Sequence, residues 1–298
     1  RRPPRSTLFP YTTLFRSFLT GLIGYPIAHS AAPAMHEQAA AALGVRCHYQ
    51  LIEVKGAGHD DLRAMLDGIK RLGFAGVNVT FPYKEAVIDL LDDLAPDARA
   101  IGAVNAIVAD GARLVGYNTD ASGFVRAIAP LLTTVPRGPI ALIGAGGVGK
   151  AIAFALAILG VGELRIFDSD GAKVARLAGQ LAGRHAARGV ASVEAALDGA
   201  TGVVNATPVG MLPSRDTPVP DALLHPSMWV ADAVYTPLWT PLLLAAKAKR
   251  AKVLTGRDLA IYAAADAFEL FTSMMPSTDV MANAFDAVMA ARYAPPAT

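Results

Sequence analysis

Three glycines in the second half of the chain have the spacing of a dinucleotide-binding loop. Gly144, Gly146 and Gly149 follow the apolar run PIALI and precede the alanine-rich run AIAFAL. In such a loop the first glycine allows a tight turn, the second lets the backbone approach a pyrophosphate, and the third lets the helix pack on the strand. An ordinary glycine turn is the alternative. The position between a predicted strand and a predicted helix favours a phosphate site at the helix N-terminus.

An acidic residue ends the next predicted strand. Asp168 follows residues 163–167 and lies 24 residues after Gly144. A carboxylate at this point can accept both ribose hydroxyls of NAD, and it would repel the additional phosphate of NADP. The alternative is that Asp168 only caps the next helix, a role that Asp170 could fill instead. Although Lys173 and Arg176 follow on that helix, no arginine adjoins Asp168, and NAD is therefore the predicted cofactor.

Polar residues of the first half lie in loops or where strands are predicted to end, the places where function concentrates. Taken singly, each has a simpler interpretation as a turn residue, a helix cap or an exposed lysine. Together they are candidates for a site. They are Ser30, Asn78, Thr80, Lys84, Asn105, Asn118 and Asp120.

Composition excludes several classes of protein. Hydrophobic residues make up 53% and charged residues 17% of the 298 residues, which is unlike a disordered chain. The longest apolar run, residues 151–159, is shorter than the roughly 20 residues that span a bilayer, so no membrane is expected as a partner. The single cysteine, Cys47, excludes an intramolecular disulfide and a cysteine-rich metal site. It fits a reducing compartment, and we expect a cytoplasmic protein that needs no metal.

The net charge of +2 depends on residues 1–17, which contain four arginines and no acid. Without them the charge is 2 − 4 = −2, so nucleic acid is not an expected partner. These residues lack the apolar core and cleavage site of a secretory signal, while an arginine-rich transit peptide remains an alternative. We expect residues 1–17 to be a non-native or disordered head, with the native fold beginning near Phe18.

Strand and helix patterns alternate from Phe18 onward and predict an α/β fold. In the first half, strands are predicted over 18–24, 47–54 and 76–81, and a hairpin over 103–118 around Asp110-Gly111. Helices are predicted over 33–43, 60–72 and 84–94 there, and over 259–272 and 277–293 at the end. After a border at 133–139, the apolar runs PIALIG, ELRIF, GVVNAT and WVADAVY are typical of a parallel, Rossmann-like doubly wound sheet.

Seven motifs in order resemble the shikimate/quinate dehydrogenase family. The resemblance covers residues 18 to 290. The motifs are GLIGYPIAHS-x-x-PAMH, GVNVTFPYKE, GAVNAI, GYNTDASG, GAGGVG, VVNATPVGM and DAVYTPLWTPLL. The resemblance implies two α/β domains. One is a substrate-binding domain of residues 18–120 plus 256–298, and the other is an NAD-binding Rossmann-like domain of residues 121–255.

The resemblance also implies roles for individual residues. Lys84 and Asp120 fall on the catalytic pair, with Lys84 in proton transfer and Asp120 orienting it. Ser30, Thr80, Asn105 and Tyr235 fall on substrate-binding positions together with that pair. The nucleotide would contact Gly144, Ala145, Gly146, Gly147, Val148, Gly149, Asp168, Asn205, Ala206, Thr207, Val234 and Gly256.

Two positions depart from the family pattern, and both concern the substrate. A second hydroxyl residue, which would bind the substrate carboxylate with Ser30, is replaced by Ala32. A glutamine of the C-terminal helix is replaced by Ala263, next to Tyr262. The chemistry of hydride and proton transfer is therefore expected to be intact, with an altered substrate pocket.

The leading hypothesis is an oxidoreductase that reversibly oxidises a ring hydroxyl of quinate or shikimate to the 3-dehydro ketone, with hydride transfer to NAD. Its expected partner is a small cyclic hydroxy acid, and a homodimer is compatible with the sequence. One alternative is an NADPH-dependent 3-dehydroshikimate reductase of aromatic amino acid biosynthesis, which Asp168 disfavours. A non-catalytic ligand-binding regulator on the same scaffold is another. A different two-domain Rossmann enzyme, such as a methylene-tetrahydrofolate dehydrogenase, would not need these motifs.

Overall fold

The computed structural model of the protein describes residues 16–293. The head predicted over residues 1–17 lies outside this part, apart from its last two residues, and the first strand begins at Ser17, close to the predicted start of the fold. No helix among the described residues is long and apolar enough to cross a membrane.

The first sheet is mixed and has six strands in the order β2-β1-β3-β5-β6-β4. The first three strands are parallel, β5 is antiparallel to β3 and β6, and β4 runs parallel to β6 at the edge. The predicted hairpin around Asp110-Gly111 is confirmed as β5 and β6. The strands are β1 (Ser17–Gly24), β2 (Arg46–Glu53), β3 (Gly76–Val79), β4 (Asp93–Leu94), β5 (Ala106–Asp110) and β6 (Arg113–Tyr117).

The second sheet is entirely parallel and has the order β12-β11-β10-β7-β8-β9. This is the doubly wound order, whose direction reverses between β7 and β10, where such folds bind nucleotides. Every residue of β7, β10 and β11 is buried, as the continuous apolar runs predict. The strands are β7 (Ile140–Ile143), β8 (Leu164–Phe167), β9 (Ala187–Gly189), β10 (Gly202–Asn205), β11 (Trp229–Asp232) and β12 (Lys252–Leu254).

Ten helices within residues 16–293 cover the two sheets. Four of the five helices predicted individually are confirmed to within three residues at each end. The helices are α1 (Ala32–Ala42), α2 (His59–Arg71), α3 (Pro96–Ile101), α4 (Thr119–Leu132), α5 (Gly147–Ile158), α6 (Gly171–Leu181), α7 (Val193–Leu197), α8 (Pro241–Ala248), α9 (Gly256–Thr272) and α10 (Thr278–Tyr293).

The prediction of a fifth helix over 84–94 is wrong. The chain instead turns over 84–87, forms a short 3₁₀ turn at Ile88–Leu90 and ends in β4. Backbone pairing with β6 replaces the helix, because Asp92 N donates to Leu114 O and the Asp92 carboxylate accepts Leu114 N. The short helix α3, with proline in its first turn, follows this edge strand and has no counterpart among the predicted elements.

Two neighbouring helices carry the chain between the sheets. Helix α4 leads from β6 to β7, and α9 follows β12 and packs on α10 and on α1, β3 and β5 of the first half. The boundaries predicted at residues 120 and 256 fall near the first residues of α4 and α9. The two helices pack closely at Gly123, where an added Cβ would lie 2.8 Å from the backbone N of Ala263.

This contact yields a stability prediction for Gly123→Ala. Alanine usually stabilises a helix over glycine by about 0.5–1 kcal/mol, but overpacking against the α9 backbone costs about 1–3 kcal/mol. We expect a lower free energy of unfolding in a urea titration. Gly68→Ala in α2 is the matched control, since an added Cβ there meets nothing within 4 Å, and it should be neutral or stabilising. A Gly123→Ala protein as stable as the unsubstituted chain would contradict this packing.

Candidate active site

A cleft of 1910 Å³ is lined by residues from both sheets. All six predicted catalytic and substrate-binding residues line it, namely Ser30, Thr80, Lys84, Asn105, Asp120 and Tyr235. Of the predicted nucleotide contacts, Gly144, Gly146, Gly147, Val148, Asp168, Ala206, Thr207, Val234 and Gly256 line the same cleft. Ala145, Gly149 and Asn205 lie behind its surface.

Lys84 and Asp120 form an ion pair in this cleft. Lys84 Nζ lies 2.5 Å from Asp120 Oδ2, and each side chain is 11% exposed. The backbone of Lys84 is held from the opposite side, because its carbonyl accepts the N–H of Val104. A largely buried ammonium group next to a carboxylate is a group through which a proton can be passed to and from a bound molecule.

The start of α4 positions the carboxylate of Asp120. Asn118 caps the helix, since its Oδ1 accepts the N–H of Ala121 at 3.2 Å while its Nδ2 donates to the carbonyl of Ala103. Asp120 therefore occupies the first turn of α4, where the partial positive charge of the helix N-terminus stabilises a negative charge. Asn118 thus has the role of a helix cap, which the sequence allows as the simpler alternative to a role in the site.

Asn105, directly before β5, orients Asp120. Its Nδ2 donates to Asp120 Oδ1 at 2.8 Å and to Thr119 Oγ1 at 2.9 Å, and its Oδ1 accepts the N–H of Thr119. Both amide hydrogens of Asn105 are thus occupied within the protein. The Oδ1 atom also lies 3.3 Å from Thr119 Oγ1, and it keeps acceptor capacity because the Thr119 hydroxyl donates to the carbonyl of Ala263.

Asn78 and Tyr49 form a second polar pair in the cleft wall. The Tyr49 hydroxyl donates to Asn78 Oδ1 at 2.9 Å, and Asn78 Nδ2 donates to the carbonyl of Asn105. Burial raises the pKa of the Tyr49 phenol well above 10, so it stays a hydrogen-bond donor. Tyr49 is absent from the predicted site. The alternation of β2 indicates that its side chain is buried, but not that it meets Asn78.

The glycine loop has the shape that its spacing predicts. Gly144 adopts a φ of +107°, in the left-handed region that favours glycine. A Cβ on Gly149 would lie 2.1 Å from the carbonyl oxygen of Gly144, whereas a Cβ on Gly146 would meet nothing within 4 Å. The space above Gly146 and the N-terminus of α5 therefore fit a pyrophosphate.

Asp168 lies at the carboxyl end of β8, beside this loop. Its Oδ2 accepts the N–H of Ala145 at 2.7 Å, and its Oδ1 accepts the N–H of Asp170 at 2.9 Å. Asp170, and not Asp168, caps α6, because its Oδ1 accepts two N–H groups of the first turn. Asp168 is thus free of the capping role and faces the cleft, where Lys173 and Arg176 also lie.

One contact joins the glycine loop to Lys84, and a second joins the start of α5 to the neighbouring Glu85. A Cβ on Gly147 would lie 3.1 Å from Lys84 Cβ, so the loop packs directly on the stem of that side chain. Next to this contact, Lys150 Nζ lies 2.6 Å from Glu85 Oε2, and the Lys150 side chain is 3% exposed. Neither Lys150 nor Glu85 is in the predicted site. The sequence signal for this pair is a lysine next to the apolar run of α5, which indicates a buried charge. It does not identify the partner, which lies 65 positions away.

Asn205 belongs to a buried network at the carboxyl ends of β10 and β11. Its Nδ2 donates to Asp232 Oδ1 at 2.9 Å, and its Oδ1 accepts from the backbone and hydroxyl of Thr207. Asp232 also accepts from the Thr240 hydroxyl and the N–H of Val234. Burial raises the pKa of Asp232 from 3.8 to about 6, and it outweighs these three hydrogen bonds, which act in the opposite direction. Asn205 therefore shapes the loop whose Thr207 lines the cleft.

The two departures from the family pattern also face the cleft. Ala32 offers only its backbone N–H, which donates to Ser30 Oγ at 3.1 Å. Ala263 lines the cleft through α9, and its carbonyl accepts the hydroxyl of Thr119. Tyr262, beside it, packs against the guanidinium of Arg126 at 4.3 Å and is not a lining residue.

The network at Asp232 yields a prediction on pH dependence. The Asp232 carboxyl binds its proton more tightly in the folded protein than in the unfolded chain. Its contribution to the free energy of unfolding is therefore full below pH 4 and is lost as pH rises through about 6. Asp232→Asn keeps the acceptor for Asn205 and Val234 and removes the buried charge. We expect its free energy of unfolding to exceed that of the unsubstituted protein by up to about 3 kcal/mol at pH 7.5, but by only about 1 kcal/mol at pH 4.5.

Urea titrations at the two pH values measure this difference. Asp198→Asn, on an exposed side chain at the end of α7, is the control. A stability difference for Asp232→Asn that does not change with pH would show that the Asp232 carboxyl titrates normally.

Comparison with known proteins places these features in a family. The profile described as the shikimate dehydrogenase substrate binding domain matches residues 22–107. A shikimate dehydrogenase (NADP(+)) of Streptomyces avermitilis is 42% identical over 269 residues, covering 88% of this chain and 92% of the relative. A quinate/shikimate dehydrogenase (NAD(+)) of Corynebacterium efficiens is 40% identical over 277 residues, covering 90% of this chain and 98% of the relative.

Solved structures agree with the sequence comparison. The quinate dehydrogenase of Corynebacterium glutamicum in complex with NAD superimposes with a TM-score of 0.84 at 40% identity, covering 91% of this chain and 99% of that one. The shikimate 5-dehydrogenase of Thermus thermophilus in complex with NADP(H) and shikimate gives a TM-score of 0.81 at 35% identity, covering 91% and 99%. The chain therefore belongs to the shikimate/quinate dehydrogenase family of NAD(P)-dependent oxidoreductases that act on CH–OH groups.

Proposed function

We propose that this enzyme oxidises a ring hydroxyl of quinate or shikimate to the 3-dehydro ketone, reversibly and with NAD as the hydride acceptor. The observation that carries the proposal is the Lys84–Asp120 ion pair, which faces the cleft directly beside the glycine loop. The relatives that match over most of this chain are named for both quinate and shikimate, and for both NAD and NADP.

Oxidation of the substrate removes a proton from the hydroxyl oxygen and a hydride from the carbon that bears this oxygen. Lys84 first passes a proton from its ammonium group to the carboxylate of Asp120, which lies 2.5 Å away, and the neutral Nζ then accepts the hydroxyl proton. The nicotinamide, when bound, supplies the carbon that accepts the hydride. In the reverse direction, Lys84 returns the proton to the ketone oxygen.

The remaining polar residues of the cleft hold the substrate and orient the pair. Asn105 keeps the Asp120 carboxylate turned toward Lys84 and offers its Oδ1 to a ring hydroxyl. Thr80 offers a hydroxyl from the end of β3, and Ser30 and Tyr235 offer two further hydroxyls in the same cleft. These groups bind ground state and transition state alike, so they chiefly set KM.

The nucleotide site supports NAD through Asp168. Its carboxylate occupies the place where ribose hydroxyls are accepted, and a phosphate there would meet a negative charge. Lys173 and Arg176 line the cleft on α6 and favour a second candidate, reduction of 3-dehydroshikimate with NADPH. The choice between NAD and NADPH depends on whether the negative charge of Asp168 or the positive charges of Lys173 and Arg176 dominate at the ribose.

We also propose that residues 18–120 with 256–298 form the substrate domain and residues 121–255 the nucleotide domain. Support comes from α9 and α10, which pack on α1 and on strands of the first sheet. The chain passes between the sheets only through α4 and α9 within residues 16–293. Closure about these helices would exclude water from the hydride transfer.

The role of Lys84 is tested by Lys84→Met, which keeps the stem that packs on Gly147 and removes the amine. We expect kcat for quinate or shikimate to fall about 10²–10⁴-fold, because proton transfer is lost. NAD affinity, measured by fluorescence titration, should barely change. Lys249→Met, on an exposed lysine outside the cleft, is the matched control and should keep full activity. A Lys84→Met enzyme with most of its kcat would show that another group takes the proton.

Cofactor preference is tested by kcat/KM with NAD and with NADP. The unsubstituted enzyme should prefer NAD, and Asp168→Asn should narrow the preference by about tenfold or more, since it removes the charge but keeps an acceptor for the loop. Asp170→Asn removes an equal charge two residues away, still caps α6, and should leave the ratio nearly unchanged. Equal or better turnover with NADP in the unsubstituted enzyme would favour the second candidate.

A further inference from the structure

Arg292 places a cation at the end of the cleft where Ala32 lacks a hydroxyl. It lies in the last turn of α10, and its Nη1 donates to the carbonyl of His29. Arg292, His29, Ser30, Ala32 and Tyr235 all line the cleft. A residue near the end of the chain thus meets the loop that follows β1, 263 positions away.

The guanidinium of Arg292 forms no ion pair with a carboxylate among residues 16–293. Another arginine of the same helix pair behaves differently, because Arg257 on α9 binds both Asp258 and Asp286. The bond to His29 uses one of the five N–H donors of Arg292, so donors remain available for an anion.

The charge of Arg292 acts on the phenol at the same end of the cleft. Burial raises the pKa of Tyr235, while a hydrogen bond with Ser30 and the positive charge of Arg292 oppose that rise. Arg292, Ser30 and Tyr235 are therefore close enough to act on one bound group. The Tyr235 ring is held in place by Phe285 of α10, with ring centroids 5.6 Å apart.

The loop itself supplies few free donors to an anion. Glu53 holds it, since its Oε2 accepts the N–H groups of Ile27 and Ala28 at 2.8 and 2.6 Å. The N–H of Ala32 is directed to Ser30 Oγ. The Ser30 and Tyr235 hydroxyls are neutral donors at this end, and His29 lines the cleft beside them. A carboxylate bound here would gain from a charged donor as well.

We propose that Arg292 binds the carboxylate of the substrate and replaces the hydroxyl that Ala32 does not provide. The proposal rests on the proposed function, which supplies a carboxylate substrate. A guanidinium suits this role, because two parallel N–H groups can bind both carboxylate oxygens. Because the carboxylate takes no part in the reaction, Arg292 should act on KM and leave kcat nearly unchanged.

The test is Arg292→Gln, which retains a donor for His29 and removes the charge. KM for quinate and for shikimate should rise about tenfold or more, with kcat and the KM for NAD changed by less than about twofold. Arg292→Lys should give an intermediate KM, because it keeps the charge without the bidentate geometry. Arg257→Gln is the matched control. It removes an arginine that ties α9 to α10 outside the cleft, and KM should not change.

A neutral substrate separates binding from structural support. With the carboxamide of quinic acid, Arg292→Gln and the unsubstituted enzyme should give the same KM. Ala32→Ser should lower the raised KM for quinate in the Arg292→Gln background. An unchanged KM for both carboxylates in Arg292→Gln, or an equal rise for the carboxamide, would overturn the assignment. An unsubstituted enzyme that oxidises neither quinate nor shikimate would instead overturn the proposed function.

Discussion

Burying an ammonium group and a carboxylate together is the constraint on which the rest of this active site depends. An unpaired charge in the cleft wall would cost several kcal/mol, so Lys84 and Asp120 must meet with good geometry. That geometry comes from elements that are separate in sequence. The carbonyl of Lys84 is tied to Val104, Asn105 turns the carboxylate, and the first turn of α4 stabilises its charge. The segments that follow β3 and precede β5, and the start of α4, are thus organised around one contact.

The same contact couples the two halves of the molecule. The backbone of Gly147 packs closely against the stem of Lys84, since a Cβ there would lie 3.1 Å from Lys84 Cβ. The spacing of the glycine motif identifies Gly144, Gly146 and Gly149 by the relation to phosphates expected of such a loop, whereas Gly147 is constrained by its contact with Lys84. The buried pair of Lys150 and Glu85 lies beside this junction and ties α5 to the loop after β3. The glycine loop and the Lys84–Asp120 pair are therefore linked through direct packing.

Local patterns predicted what depends on local physics. The conformation of Gly144, the position of Asp168 after β8 and the hairpin at Asp110-Gly111 follow from nearby residues alone. The helix predicted over 84–94 is wrong because pairing with β6, a partner distant in sequence, outweighs its apolar periodicity. Tyr49, Lys150 and Arg292 are absent from the predicted site for the same reason. Each acquires its role from a contact with a residue at least 29 positions away.

The account requires Lys84 and Asp120 to act as one unit, and a double-mutant cycle on kcat/KM tests this most directly. Lys84→Met, Asp120→Asn and the combined variant are compared with the unsubstituted enzyme at one pH with saturating NAD. If the carboxylate serves only through the lysine, the combined variant should lose no more activity than Lys84→Met alone. Losses that multiply in the combined variant would contradict the account, because they would mean that Asp120 acts on the reaction independently of Lys84.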